Sequence, residues 1–332
     1  GIRDFCLSRG LGDVYKRQVV YVTGCLGFIG SHVTKACLEM GWQVRGVDSI
    51  TYAGHPEILK EFSEYKNFVF EKKDINELDW LYDCDYVINT AAETHVDNSI
   101  VDANKFVESN VGGVHNLLKL IRTKENYRMP TLLHFSTDEV YGDIINGAHK
   151  EDDMLKPSNP YSATKAAADQ LVTAWGRTYG LPYVIIRPTN NYGKWQYPEK
   201  LIPKTCKYLS MGRKIPIHEK GKPVRNWLHA ADTANAVTTI IESGDSAINQ
   251  IYNICGGFEQ ENMKTITSII QCYWESDVYP DEYVDFKYTR PGQDVRYAVD
   301  DSKLRSLGWK PEREFDKEIM GIVQFYKQNF IW

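Results

Sequence analysis

Apolar and polar positions alternate between two periods along this chain. Short β-branched or apolar runs recur as VVYVTG at 19–24, WQVRGVD at 42–48, FVFEKKD at 68–74, DYVINTAA at 85–92 and TLLHFST at 131–137. Each has the length of a strand and is bounded by polar or glycine residues. Between them, apolar positions take helical spacing at 30–40, ended by Gly41, and at 104–122 and 160–179. The last of these has Ser158 or Asn159 as its cap and Gly180 just past its end. Strands alternating with helices predict an α/β fold, a Rossmann-type doubly wound parallel sheet. Such sheets bind ligands at the carboxyl ends of their strands. From about Asn190 the pattern becomes irregular and richer in Pro and Gly. This predicts a dinucleotide-binding domain over 19–189 and a smaller mixed α/β substrate domain over 190–332, interleaved with the first.

Composition narrows the class. The chain has 332 residues, 42% hydrophobic and 25% charged, with a formal net charge of -5. Lys and Arg are scattered rather than striped, which argues against nucleic acid and anionic membrane surfaces as partners. No apolar run reaches the length of a membrane span. Seven dispersed cysteines, with no CxxC pair, suggest reduced thiols in a cytoplasmic protein and no metal site. Residues 1–18 lack the apolar run of a signal peptide. Their last six, DVYKRQ, are what the transposon mosaic end of sequencing libraries encodes in frame. Residues 1–18 are therefore expected to be a non-native leader.

The first chemical motif is TGCLGFIG at 23–30, with glycines at Gly24, Gly27 and Gly30. It follows a predicted strand and opens a predicted helix, as a pyrophosphate-binding turn requires. Asp48 ends the next strand, 18 residues beyond Gly30. Its carboxylate suits ribose hydroxyls and repels a 2′-phosphate, which points to NAD. The second motif is YSATK, with Tyr161 and Lys165 four residues apart and so on one helix face. An ammonium beside the phenol predicts a tyrosine pKa lowered toward neutrality, fit for a base in hydride transfer. Thr137 ends an earlier strand and completes a hydroxyl, tyrosine and lysine set. Two acids, Asp138 and Glu139, follow Thr137 directly where a buried strand has just ended.

The glycines with Asp48, then Thr137, then Tyr161 and Lys165, resemble an extended short-chain dehydrogenase/reductase. The blocks VDSITYAG, NTAAETHVDNSI, FVESNVGGVHNLL, HFSTDEVYGD, NPYSATKAAADQLV, TNNYGKWQYPEKLIP, GKPVRNWLH and RPGQDVRY run in the order of the dTDP-glucose 4,6-dehydratase family. That resemblance spans nearly everything from Val19 onward. It implies a nucleotide-sugar lyase that oxidises C4 of a hexose, eliminates water across C5 and C6, and returns the hydride to C6. It also implies that Tyr161 takes the C4 hydroxyl proton, Thr137 bonds that oxygen, Asp138 is the acid and Glu139 the base. Neighbouring carboxylates in a partly dry site are expected to separate in pKa, leaving one protonated near neutrality.

The same resemblance implies further contacts. The cofactor is expected at Gly24, Gly27, Phe28, Ile29, Gly30, Asp48, Asp74, Ile75, Ala91, Ala92, Glu93, Tyr161, Lys165 and Asn191. The substrate is expected at Thr94, Thr137, Asn190, Lys200, Leu201, Arg225, Asn262 and Arg290, with the arginines on its diphosphate. His95 reads as structural. A homodimer is implied through helices at 104–122 and 160–179. The chain departs from the family pattern at Cys25-Leu26, Lys194-Trp195, His218, Thr289 and Gln293. The last three fall where the nucleoside is expected, so UDP-glucose stands as the alternative to dTDP-glucose. A 4-epimerase of the same fold needs no acid pair after Thr137, and a non-catalytic nucleotide sensor would have lost part of the set.

Overall fold

A computed structural model describes residues 18–124, 128–288 and 294–329. Arg290, Thr289, Gln293 and nearly all of the expected leader lie outside the described residues. In chain order the strands are β1 (Val19–Thr23), β2 (Gln43–Asp48), β3 (Phe68–Lys72), β4 (Tyr86–Asn89), β5 (Thr131–Phe135), β6 (Tyr183–Pro188), β7 (Asn190–Tyr192), β8 (Ile215–His218), β9 (Val224–His229), β10 (Gln250–Ile254), β11 (Phe258–Glu261) and β12 (Val284–Tyr288). The helices are α1 (Phe28–Glu39), α2 (Ile58–Phe62), α3 (Val96–Val101), α4 (Asn104–Phe106), α5 (Val114–Arg122), α6 (Pro160–Tyr179), α7 (Leu201–Ser210), α8 (Ala230–Glu242), α9 (Asn262–Trp274), α10 (Ser302–Arg305) and α11 (Phe315–Gln328). A π-helical turn, Val107–Gly113, joins α4 to α5.

Seven strands form one sheet in the order β3-β2-β1-β4-β5-β6-β10, and every pairing in it is parallel. Both faces are covered, so the strands read as continuous apolar runs. Side chains still alternate between two cores. Val20 and Val22 of β1, Leu133 of β5 and Ile186 of β6 pack on the face that holds Val33 of α1 and Val237 of α8. Tyr21, Leu132 and Ile185 pack on the opposite face with Leu117 of α5 and Val172 of α6. A separate core of Tyr192, Ile202, Trp227, Ile266 and Ile319 holds α7, α9 and α11 against the sheet β11-β9-β7. The chain enters this second region at β7, returns to the large sheet through α8 and β10, and leaves it again at β11.

The order of the sheet reverses between β1 and β4, which opens a crevice at the carboxyl ends of the strands. Gly24 follows β1, Asp48 ends β2, Ala91 follows β4, and Ser136 with Thr137 follow β5. All but one of the sequence motifs with a predicted chemistry therefore reach the same edge. The exception is the tyrosine and lysine, which α6 carries to that edge from the side.

Candidate active site

The glycine loop owes its shape to close approach. Gly24 has φ +72°, and a Cβ there would lie 2.7 Å from Ala91 N. A Cβ on Gly30 would lie 1.9 Å from Gly24 O and 2.5 Å from the Thr90 hydroxyl. Gly30 therefore lets α1 pack on the turn and does not face the crevice. Asp48 holds the loop in place, its carboxylate accepting from Leu26 N at 2.9 Å and from Ile50 N at 2.8 Å. Burial raises its pKa, and these backbone donors oppose the rise.

A cleft of about 410 Å³ opens here, lined by Gly24, Gly27, Asp48, Asp74, Ile75, Ala91, Ala92 and Glu93. These are eight of the residues expected at the cofactor. They fit a dinucleotide: a bare backbone at a helix start for the pyrophosphate, and on Asp48 one lone pair left on each oxygen for ribose hydroxyls. Phe28 and Ile29 can meet the cofactor only through their backbone. The Phe28 ring stacks edge-on against His32 at 5.8 Å, and Ile29 packs into the core below β1. The first turn of α1 points both side chains away.

The acid pair follows β5 directly. Thr137 caps a single 3-10 turn, Asp138–Tyr141, its hydroxyl accepting from Glu139 N at 3.3 Å and donating to Asp138 Oδ1 at 3.3 Å. Asp138 is 3% exposed, and its Oδ2 is buried with no hydrogen-bond partner. Burial, and then the Glu139 carboxylate, push its pKa up to about 8, against the pull of Arg225. At neutral pH Asp138 thus carries a proton.

Asn159 caps α6 and shares a capping box with Ser162, with Pro160 in the first turn. This start fixes Tyr161, whose N–H donates to the Ser99 hydroxyl at 3.2 Å. The expected lowering of the Tyr161 pKa is not found. Burial first, then the Glu139 carboxylate, raise it, and Thr137 opposes them. Lys165 exerts no such pull because its ammonium donates to the Phe135 carbonyl at 2.5 Å. Spacing placed both side chains on one face but did not determine where the ammonium points.

A second cleft, of about 190 Å³, adjoins the acid pair and is lined by Glu139, Asn190, Asn191, Lys200, Leu201, Arg225 and Asn262. Asn190 Oδ1, Asn262 Oδ1 and Trp227 Nε1 are buried without partners in or beside it, an unmet demand for a polar ligand. Arg225 donates to the carbonyls of Val224, at 2.7 Å, and Asp294, at 3.1 Å, and lies over the Tyr297 ring at 4.6 Å. Neutral carbonyls leave its charge for an anion. Lys200 reaches Thr94 O at 2.7 Å, so Thr94 is tied to the rim of this cleft. Asn191 lines the same cleft and is held by the scaffold. Its Oδ1 accepts from Thr233 at 2.6 Å and its Nδ2 donates to Thr189 O at 2.9 Å, so its amide is engaged by the scaffold. His95 caps α3 through Asn98 N at 3.0 Å.

Three further residues in or beside the two clefts escaped sequence reasoning. Asn110, in the π-helical turn, bonds both Glu93 N, at 2.9 Å, and Thr164, at 3.0 Å, and so couples the cofactor cleft to α6. The extra residue of a π turn is a recognised mark of such sites, but it leaves no pattern in the sequence. Glu199 faces the second cleft beside Lys200, and its Oε2 accepts from the Tyr52 hydroxyl at 3.4 Å. Tyr297 lines the same cleft. Both sit inside quoted blocks, where an acid next to Lys200 and an aromatic after the RPG run were the available signals.

A Rossmann sheet that carries a glycine loop with an acid on one side, and a Thr, Tyr and Lys set on the other, defines an extended short-chain dehydrogenase/reductase. The family model described as GDP-mannose 4,6 dehydratase matches residues 21–321. The chain belongs to this family of nucleotide-sugar 4,6-dehydratases. It is 38% identical to the dTDP-glucose 4,6-dehydratase of Escherichia coli, over 94% of each chain. It is 39% identical to the low-salt glycan biosynthesis protein Agl12 of Haloferax volcanii, over 92% of this chain and 98% of that one. The crystal structure of DesIV, a dTDP-glucose 4,6-dehydratase from Streptomyces venezuelae with NAD and dTDP bound, superposes with a TM-score of 0.87 at 35% identity, covering 94% of this chain and 97% of that one.

Proposed function

We propose that the protein converts dTDP-glucose to the dTDP-4-keto-6-deoxy sugar with NAD as a resident cofactor. The observation that carries this reading is the buried Asp138 carboxyl, its Oδ2 without a partner, beside Glu139 and Thr137 and next to the buried Tyr161. NAD supplies a hydride acceptor toward C4 and a donor toward C6, with no net change. Tyr161 accepts the proton of the C4 hydroxyl as a phenolate, a state that the positive charge of the oxidised nicotinamide would favour against the burial and the Glu139 carboxylate that raise its pKa, and Thr137 bonds the same oxygen. Oxidation at C4 acidifies the C5 proton, which Glu139 removes as a carboxylate. Asp138 donates its proton to the C6 hydroxyl, which departs as water. Glu139 returns its proton to C5 as the hydride arrives at C6, and the proton that Tyr161 took from the C4 hydroxyl passes to Asp138, which restores all three groups. Arg225 and Lys200 hold the diphosphate, and Asn190 and Asn262 offer their unpartnered amide oxygens to the sugar and nucleoside. Asp48, Asp74, Ala91 and Glu93 hold the cofactor, and Lys165 meets its ribose.

The 4-epimerase reading lacks a use for a buried protonated acid. UDP-glucose is the second substrate, because His218 lines the cleft where the nucleoside belongs. The reading includes a dinucleotide-binding domain over 19–189, a substrate domain over 190–332, and a cytoplasmic setting, which the free cysteines suit. No helix among the described residues is long and apolar enough to cross a membrane. It also includes a homodimer across residues 104–122 and α6, where Val107 is 52% and Tyr179 40% exposed.

Turnover decides the function. The protein is incubated with NAD and, in separate tubes, dTDP-glucose or UDP-glucose, and masses are followed. Loss of one water without net NADH is expected, faster with dTDP-glucose. An isomer of unchanged mass would replace this reading with an epimerase.

A further inference from the structure

Behind Tyr161 and Lys165 runs a buried polar chain that the chemistry above does not use. Thr23 of β1 donates to Asn89 Oδ1 of β4 at 2.7 Å, and Asn89 Nδ2 meets His134 Nδ1 of β5 at 3.2 Å. An amide donor makes Nδ1 the acceptor and leaves the ring proton on Nε2. Nε2 faces Asp169 Oδ1 of α6 at 3.7 Å. Asp169 Oδ2 accepts from Arg187 Nε of β6 at 3.0 Å, and Arg187 donates to the Tyr141 hydroxyl at 2.6 Å. Tyr141 in turn donates to Asn253 Oδ1 of β10 at 2.8 Å. The chain thus crosses five adjacent strands, and each of its members is buried.

The charges in this chain do not balance. Asp169 lies one helical turn beyond Lys165 on the same face of α6. It is 1% exposed and Lys165 is 4% exposed. Arg187 brings a second cation to the same carboxylate. His134 adds none, since burial and then the two cations hold it neutral. Tyr161 lies one helical turn before Lys165 on α6, and the carboxylates that act on it are Glu139, Asp138 and Glu199. Glu151 stands at the far end, its Oε1 accepting from Asn253 N at 3.1 Å. The carboxylate that acts on Lys165 is Asp169.

We propose that Asp169 is a positioning residue: acting through Lys165, its carboxylate is the counter-charge that keeps the side chain an ammonium in a corner shared with the Arg187 guanidinium. A buried lysine without an opposite charge gives up its proton rather than stay charged. Burial brings Lys165 down to about 8 with Asp169 in place, so loss of the carboxylate should lower it further. Arg187 acts with the opposite sign, because its guanidinium takes one oxygen of the carboxylate. The bearing of this on turnover rests on the dehydratase reading; the charge state of Lys165 does not.

The test is a titration of the full chain labelled with ε-13C-lysine, followed by NMR, with the Lys165 resonance identified by its loss in Lys165→Arg. In Asp169→Asn the midpoint should fall by at least one pH unit, and in Arg187→Gln it should rise. The alkaline limb of kcat should move in the same directions. A purely structural Asp169 would lower the melting temperature and leave the midpoint in place, which overturns the proposal. If Asp169→Asn does not fold, Arg187→Gln decides, and an unchanged or lowered midpoint there overturns it. A wild-type protein that dehydrates neither nucleotide sugar would remove the proposed function and leave the NMR result to judge Asp169.

Discussion

Asp138→Asn separates the energy of one buried proton from everything else in the site. Asp138 has an ordinary value of 3.8 and is pushed to about 8 in the fold. Below about 3.8 the folded and unfolded chains both hold the proton. Between there and about 8 only the folded chain does, so stability falls as pH rises and levels off above the folded value. Each pH unit in that window is worth about 1.36 kcal/mol. From pH 5 to pH 7 the wild type therefore loses about 2.7 kcal/mol of stability through this group, and an amide loses none. At roughly 2 °C per kcal/mol for a chain of this size, the variant should gain about 5 °C on the wild type over that interval. Melts at pH 5, 6 and 7, at one ionic strength, read the difference directly. A gap that is the same at pH 5 and pH 7 would show that Asp138 ionises in its ordinary range, and the general-acid assignment would fall with it. The amide cannot give up a carboxyl proton, so water loss should slow about 10²- to 10⁴-fold.

Other outcomes follow from the same geometry. Glu139→Gln should still oxidise C4 but not eliminate, so NADH absorbance at 340 nm should build up on the enzyme and stay; full turnover would refute the base. Tyr161→Phe should lose both NADH formation and water loss, by about 10²-fold or more, with cofactor binding intact by calorimetry. Gly30→Ala sets a Cβ 1.9 Å from a backbone oxygen, and the soluble yield and NAD affinity should both collapse, whereas Gly41→Ala, with nothing within 4 Å but φ +74°, should cost only about 1 kcal/mol. Arg225→Met should raise KM more than it lowers kcat, since the diphosphate does not react.

The large sheet was legible because its strands are buried on both faces. Runs such as TLLHF, every residue of which is buried, admit few other readings. The cofactor loop and the acid pair were legible because their meaning is local: a turn, a helix start, a strand end. β7 was not, since three residues reading NNY carry no period. Past the boundary expected at Asn190 the chain crosses back to supply β10, and only pairing across the sheet shows this. Tyr161 failed for a different reason. Its proton depends on burial and on Glu139, which lies 22 residues earlier in the chain, whereas the spacing to Lys165 speaks only of the helix face. The Asp169 to Arg187 pair likewise joins a helix and a strand whose separate patterns are ordinary.

The return of the chain to its first sheet has a consequence for how this protein is made. β6 lies inside the sheet and pairs with β10, residues Ile185 and Ile186 meeting Ile251 and Tyr252. On a ribosome β6 emerges some sixty residues ahead of that partner. During that interval its backbone offers an open, apolar edge of the kind that recruits neighbouring chains. The nascent protein must shelter this edge while the whole of β7 to α8 is synthesised. For the same reason, cutting the gene at the apparent domain boundary would yield a first half with its sheet unfinished.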